Sequence, residues 1–419
     1  MTETHAAGAA SADRFDIVIA GGGYVGLSLG LALVRALPDV SVAVVDARPP
    51  QTDPAEAAKD PRASAIAAAA RRMLAELGVW DEIAPASQPI LDMIVTDSRL
   101  DDKVRPVFLT FDGRTENGEP FAHMVPNAVM VGALARAALA AGVTLIAPDT
   151  VADFSVSAAR TDVTLGSGRR LTASLLVAAD GAKSKLRALS GIRTVSWSYG
   201  QSGIVATLEH ELPHDGRAEE HFLPSGPFAT LPLPGNRSSL VWSEKTAVAH
   251  RLIGDEILFE AELMRRMGHR FGKVSVIGRP QAFPLGLTLA RDFVRPRFAL
   301  VGDAAHGIHP IAGQGLNMGF RDVAALAEVL VCAMRIGEDP GAIDVLERYQ
   351  RWRRFDTAEM AIVTDVLNRL FSNDLAPIRA LRTFGLGLVD RLPKLKQRFI
   401  GEAAGERGDL PKMLRGLPI

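Results

Sequence analysis

Only one cysteine, Cys332, occurs in the 419 residues. A single thiol excludes an internal disulfide and a multi-cysteine metal site. Its Ala/Leu/Val-rich helical surroundings mark it as a core thiol, and such low usage suits a reducing compartment. A surplus of one charge is also missing. Lys+Arg number 47 and Asp+Glu 48, a formal net charge of −1, which leaves no basic excess for general nucleic-acid binding. No uninterrupted apolar run approaches the roughly 18 residues of a membrane-spanning helix. Met1 to Ala12 have neither a basic start nor an apolar run, so a mobile tail is expected there rather than a secretory signal. Histidines and carboxylates form no cluster with metal-ligand spacing, so no metal is expected. Internal repeats and long low-complexity tracts are absent as well. What remains, 47% hydrophobic and 23% charged, is the composition of a globular protein with a large core, long enough for two or three domains.

The chain opens with a β-α-β pattern. Phe15 to Ala20 is an apolar run rich in β-formers, Gly21 to Gly26 a glycine loop, Leu27 to Leu37 an apolar helix and Val40 to Val45 a second strand. Strands alternating with helices imply a parallel sheet covered on both faces. The loop reads Gly21-Gly22-Gly23-Tyr24-Val25-Gly26, a GxGxxG, and Asp46 stands 20 positions beyond Gly26. That separation lets an acid reach a ribose hydroxyl. Gly21 permits a tight turn, Gly23 lets the backbone approach a pyrophosphate, and Gly26 lets helix and strand pack closely. The helix N-terminus favours the phosphate charge. An ordinary glycine turn explains the loop, but not the loop together with its strand, helix and distal acid.

Further on, Ala63 to Leu77 reads as a helix and Asn127 to Ala141 as an amphipathic one. Between them, from about Pro89 to Phe121, lie mixed strands with a turn at Asp112-Gly113. Val143 to Leu176 reads as short strands with a hairpin turn at Gly166-Ser167-Gly168, and Leu175 to Ala179 as a buried strand. From about Gly191 to Pro284 the character changes to alternating runs such as Ser202 to Leu208 and Ser238 to Ser243. The expected architecture is α/β: a Rossmann-like domain in two parts (residues 13–190 and 285–343), an inserted mixed-sheet domain (191–284) and a C-terminal helical region (344–419).

Two more signals follow. In Arg297-Phe298-Ala299-Leu300-Val301-Gly302-Asp303-Ala304-Ala305-His306 a strand runs into Gly302-Asp303, and a carboxylate there can accept a hydrogen bond from a ribityl hydroxyl. Then comes His309-Pro310-Ile311-Ala312-Gly313-Gln314-Gly315-Leu316-Asn317-Met318-Gly319, whose glycines, ahead of an expected helix at Arg321 to Leu330, let N–H groups approach a ligand. An isoalloxazine that becomes anionic on reduction would benefit from that helix N-terminus. The other signal is Asp180-Gly181-Ala182-Lys183-Ser184, where Asp180 or Ser184 could cap the following helix.

Together these three motifs resemble the FAD monooxygenases of the para-hydroxybenzoate hydroxylase fold, over nearly the whole chain from Phe15 to about Gly416. Within that group the chain is most similar to ubiquinone-biosynthesis hydroxylases of the UbiH/UbiF type. The long Gly302-to-Asn317 stretch carries this resemblance. Trp197 to Gln201, Phe222 to Pro227, Leu231 to Leu233, Val125 to Asn127 and Gly408 to Leu414 support it. Asp46 stands where many relatives have Glu, and the inserted domain matches more loosely. The resemblance makes the Rossmann-like part an FAD-binding domain and the insert a substrate domain. It implies FAD contacts at Gly21, Gly23, Tyr24, Val25, Gly26, Asp46, Arg62, Asn127, Asp180, Asp303, Pro310, Gly313, Gln314, Gly315, Leu316 and Asn317.

The implied activity is insertion of one oxygen atom from O2 into an electron-rich phenolic ring. No second GxGxxG occurs, so NADPH or NADH is expected to bind transiently across the FAD domain. Water must be kept from the reacting centre, so an apolar pocket between the domains is expected. Its candidate walls are Trp197, Tyr199, Phe222, Leu223 and Pro224, with Pro310 and Ala312 on the flavin side. His306 and His309 could act as acid–base groups, although structural hydrogen bonding suits them better, and no catalytic residue is assigned. A polyprenylated phenol of ubiquinone biosynthesis is the leading substrate, a small soluble aromatic acid the second. A non-catalytic FAD-binding scaffold in a biosynthetic complex is the reading from outside enzymology. Arg379 to Phe399 is a basic amphipathic stretch that suits an anionic membrane surface or packing on the FAD domain. The expected location is cytoplasmic, with peripheral contact at the inner face of a membrane and with ubiquinone-biosynthesis proteins.

Overall fold

The computed structural model describes residues 12–53, 62–97, 107–308, 314–371 and 393–419. The first half runs β1 (Asp13–Ala20), α1 (Tyr24–Ala36), β2 (Val42–Val45), β3 (Ala63–Ala67), α2 (Ala68–Glu76), α3 (Trp80–Ile83), β4 (Gln88–Pro89), β5 (Asp92–Asp97), β6 (Val107–Asp112), β7 (Ala122–Pro126) and α4 (Asn127–Ala140). Next come β8 (Thr144–Ile146), β9 (Val151–Val156), β10 (Thr161–Leu165), β11 (Arg170–Ala178) and α5 (Lys185–Leu189). Then follow β12 (Thr194–His210), β13 (Arg217–Leu223), β14 (Gly226–Leu233), β15 (Arg237–Lys245), α6 (Thr246–Gly254), α7 (Glu256–Met267) and β16 (Val274–Ala290). The last elements are β17 (Val294–Arg295), β18 (Phe298–Leu300), β19 (His306–Gly307), α8 (Gln314–Arg335), α9 (Ile343–Phe371) and α10 (Pro393–Ala403).

The first sheet has the order β17-β18-β11-β1-β2-β8, with β10 and β9 joined to β11. Strands β18, β11, β1, β2 and β8 pair in parallel. Both faces are covered, so β2 is buried along its whole length. Helix α1 packs on α4 and α8, which is why every residue from Gly26 to Val34 is buried. One apolar cluster joins this sheet to α1, α4 and α8.

The second sheet, β19-β16-β12-β15-β14-β13-β5-β6, takes β5 and β6 from the chain before residue 191. Its two faces differ, as period-2 alternation requires. Ile204, Phe228, Leu240 and Trp242 pack against Phe259 and Leu263 of α7. Val205, Ala229 and Val241, one residue out of phase, line a cavity between this sheet and the first. A small third sheet, β3-β7-β4, closes the cavity from the side.

Four local expectations need correction. Ala63 to Ala67 is a strand, not the first turns of a helix, because β7 pairs with it from Ala63–Pro126 to Ala67–Ala122. The helix at the first glycine motif begins at Tyr24, so Gly26 lies inside it. The later helix begins at Gln314 rather than Arg321. Cys332 is exposed on α8 and is no core thiol. In the C-terminal region, Ile400 and Ala404 are buried, the Ala69 N–H donates to the Ala404 carbonyl, and Met413 and Leu414 enter the first core. Arg379, Arg382 and Arg391 lie outside the described residues, as do His309, Pro310, Ala312 and Gly313.

Candidate functional site

The cofactor end of the site is built by close backbone approach. Gly21, at φ +115°, would put a Cβ 2.2 Å from the Ala179 carbonyl oxygen, and a Cβ on Gly26 would lie 1.9 Å from that of Gly21. No side chain fits at either position. At Gly23, in contrast, a Cβ would meet nothing within 4 Å. The first turn of α1 has no side-chain cap and no acid, so its N–H groups are left for an anion. Asp46 closes this end: its carboxylate accepts from Gly22 N (2.6 Å) and Arg48 N (2.8 Å).

At the end of β11, Asp180 accepts weakly from Leu186 N through Oδ2 (3.3 Å). Its buried Oδ1 has no partner among the described residues. Ser184 caps α5 by accepting from Arg187 N (3.0 Å). Arg187 donates to the Ala304 carbonyl (2.8 Å) and so ties this turn to Gly302-Asp303.

Asp303 opens into the cavity, and the protein packed around it raises its carboxyl above the usual range, helped by Asp322. Behind it stands a fully buried ionic group. Asp322 accepts from Gly302 N (2.9 Å), His306 Nε2 (2.6 Å) and Arg353 Nε (2.8 Å). Burial pushes the Asp322 carboxyl up, but the charges and hydrogen bonds of His306 and Arg353 outweigh it and hold it below its ordinary value. His306 is completely buried and its Nδ1 lacks a partner among the described residues. It stands behind the cavity lining and orients Asp322.

Gln314, Gly315, Leu316 and Asn317 line the cavity from the first turn of α8. Asn317 clamps β3: its Oδ1 accepts from Ala67 N and its Nδ2 donates to the Ala65 carbonyl, both at 2.9 Å. Asn127 sits one layer back, accepting from Ser64 Oγ (2.7 Å) while Ser64 lines the cavity. Arg62 is exposed outside the lining, and its carbonyl accepts from Asn127 N (2.9 Å). Tyr24 and Val25 line the cavity. The structure thus gathers Gly21, Gly23, Tyr24, Val25, Asp46, Asp180, Asp303 and Gln314 to Asn317 around one space.

That cavity measures about 1240 Å³, above the roughly 300–1,000 Å³ of ordinary small-ligand sites, and can hold a dinucleotide and a second molecule. Of the expected substrate walls, Trp197 lines it. Its Nε1 and the Tyr199 hydroxyl both donate to Asp365 Oδ1, at 3.2 and 3.0 Å, so these aromatics tie β12 to α9. Phe222 packs instead with Val95 and Leu109, Leu223 joins the core under α6 and α7, and Pro224 lies in the β13–β14 turn. The sheet wall is Val205, Pro227, Ala229, Leu231 and Val241.

The sequence reading passed over one residue of this wall, Glu220. It is 6% exposed, and burial alone pushes its carboxyl up to about 7. The available signal was a glutamate in the middle of a strand that ends in Phe222-Leu223. The ionisable acids of the described lining are Asp46, Asp180, Glu220 and Asp303, and this lining contains no Lys, Arg or His.

The residues at the cofactor end fit FAD: a glycine cradle that a Cβ would fill, an uncapped helix N-terminus and an orphaned buried carboxylate oxygen. Residues 14–361 match the family described as FAD binding domain. The chain is 44% identical to ubiquinone hydroxylase UbiL of Rhodospirillum rubrum, over 98% of this chain and 95% of that protein. It is 36% identical to 3-demethoxyubiquinol 3-hydroxylase of Escherichia coli, over 93% and 98%. Among solved structures, p-nitrophenol 4-monooxygenase PnpA of Pseudomonas putida shares the fold, with a TM-score of 0.77 at 19% identity over 95% of this chain and 100% of that one. On this sequence match and this geometry, the chain belongs to the FAD-binding-domain family of flavoprotein hydroxylases and is an FAD-dependent monooxygenase.

Proposed function

We propose that the chain hydroxylates the ring of a polyprenylated phenol in ubiquinone biosynthesis, with NADPH or NADH and O2 as co-substrates. One observation carries the choice of substrate. The described lining of the cavity offers apolar residues and carboxylates but no cation, so a small aromatic acid would find nothing in that lining to pair its charge. A neutral phenol with an apolar tail suits the same walls. The names of the relatives support the pathway.

In this reading Gly21, Gly23, Gly26 and the first turn of α1 hold the pyrophosphate and Asp46 the adenosine ribose. Asp180 and Asp303 take the ribityl hydroxyls, and Gln314 to Asn317 hold the ring end. Bound FAD, reduced by the nicotinamide, supplies the oxygen-transfer chemistry. The second sheet excludes water through Val205, Ala229, Leu231 and Val241. The balance is ArH + O2 + NAD(P)H + H⁺ → ArOH + H2O + NAD(P)⁺. The test is complementation of bacterial strains each lacking one ubiquinone-ring hydroxylase, with quinones read by mass spectrometry. Restored ubiquinone in one strain is expected and names the ring position. No rescue in any strain, despite flavin-loaded protein, would sink the proposal.

A further inference from the structure

We propose that Glu220 is the residue that receives the ring hydroxyl of the substrate and removes its proton, presenting the ring as a phenolate. The inference rests on the hydroxylase reading of the cavity but not on the length of the prenyl tail.

Position comes first. Glu220 lies in the middle of β13, opposite Ala229 of β14 and beside Val95 of β5. Ala229 pairs with Val241, and Val241 with Val205. The row across the sheet is therefore Glu220-Ala229-Val241-Val205, three aliphatic residues and one carboxyl on the same cavity wall. The other acids of the lining, Asp46, Asp180 and Asp303, all belong to the three cofactor motifs. Glu220 is the acid left over for the substrate half.

Among the described residues Glu220 has no hydrogen-bond or ion-pair partner. Its neighbours Glu219 and His221 point to the opposite face, where Glu219 pairs with Arg270 and His221 bonds Thr96 Oγ1 at 2.7 Å. On β5, Asp92 pairs with Arg217 at the far end, and Asp97 stands beside Phe222. Strand β7 turns Ala122 and Met124 to the cavity and sets His123 edge-on to Trp80. Asp365 of α9 is engaged by Trp197 and Tyr199, and α10 contributes Ala403. A carboxyl buried without a partner is costly wherever packing alone would serve, and such groups mark functional sites.

The chemistry follows from the burial. A carboxyl near neutrality is matched to general-base work at physiological pH, and burial holds that of Glu220 at about 7. In the step, the phenolic O–H bond breaks, its electron pair stays on oxygen and the proton goes to the Glu220 carboxylate. No redox change occurs. The phenolate is the stronger nucleophile toward the oxygen supplied by O2 and reduced nicotinamide through FAD. On rearomatisation the ring carbon's own proton leaves with the second oxygen atom as water, and Glu220 returns the borrowed one to the ring oxygen.

The experiment uses the FAD-loaded enzyme and 2-prenylphenol as the probe, with Glu220→Gln and Glu220→Asp alongside wild type. Wild type is expected to gain kcat/KM as pH rises through about 7, and its anaerobic affinity for the probe, read by flavin difference spectra, should tighten over the same range as the carboxylate forms to accept the phenol hydroxyl. Glu220→Gln should keep its FAD, lose about 10²-fold or more in product formation, and lose the pH limb of both rate and affinity. Glu220→Asp should restore part of the rate and the limb. A Gln variant within threefold of wild type, with the same pH limb, overturns the assignment, as does a wild type that binds the probe equally at pH 6 and pH 8. A wild type whose affinity follows that limb, lost in the Gln variant, but forms no product keeps the assignment and overturns the hydroxylase reading.

Discussion

Asp322 offers the most demanding test of how the cofactor end is held. Its two oxygens take three donors, Gly302 N, His306 Nε2 and Arg353 Nε, in a region without solvent. Asp322→Asn keeps the shape, removes the charge and turns an amide N–H toward at least one of those donors. Breaking a buried ion pair from one side costs about 3–5 kcal/mol. Arg353 keeps its second partner Asp356 at 2.7 Å, so the lower end, about 3 kcal/mol, is expected. The Asp322 carboxyl lies below its ordinary value of 3.8 when folded. Its contribution is therefore complete above about pH 4 and disappears as the pH falls through the still lower folded value. The deficit of the variant should be full at pH 7 and shrink in strong acid. Urea unfolding followed by circular dichroism, with bound FAD measured on the same samples, reads both effects. A loss under 1 kcal/mol at pH 7 with full FAD content would refute this view of the network.

Two further outcomes follow from single contacts. Gly26→Ala should leave little or no FAD in the purified protein, because its Cβ would fall 1.9 Å from the Gly21 carbonyl oxygen; a flavin-to-protein ratio equal to wild type counts against the cradle. Glu220→Gln should stabilise the protein in alkaline solution. The folded carboxyl at about 7 against an ordinary 4.5 means that the penalty is absent below 4.5, grows up to about 7 and stays near 3 kcal/mol above it. Unfolding curves at pH 5 and pH 8 would show a severalfold larger gain at the higher pH, and an equal effect at both would contradict the burial argument.

What could be read in advance depended on how local each constraint is. The role of Gly26 is a contact with the backbone of Gly21, and Ser184 caps its helix by accepting from a residue three positions on, so spacing alone exposes them; the approach of Gly21 to Ala179 spans most of the first domain and only the glycine motif pointed to it. Ala63 to Ala67 looked helical because alanine favours helices, while the strand is imposed by β7, about sixty residues later. Cys332 sits in an apolar stretch, yet composition does not say which face of α8 meets water. Phe222 and Leu223 looked like pocket walls and Glu220 did not. Leu223 is out of phase with Glu220 and falls on the face under the helices, whereas Phe222 shares the face of Glu220 but packs over Val95 of β5; both outcomes depend on β14 and β5, which the local sequence does not contain.

The central claim is ring hydroxylation with oxygen taken from O2. The most direct measurement supplies the FAD-loaded enzyme with NADPH, 2-prenylphenol and ¹⁸O-labelled O2, and analyses the products by mass spectrometry. The account predicts a prenylated diphenol with one ¹⁸O atom in the new hydroxyl, and one NADPH consumed for each diphenol formed. NADPH consumption without labelled diphenol, or oxygen that comes from water, would contradict it.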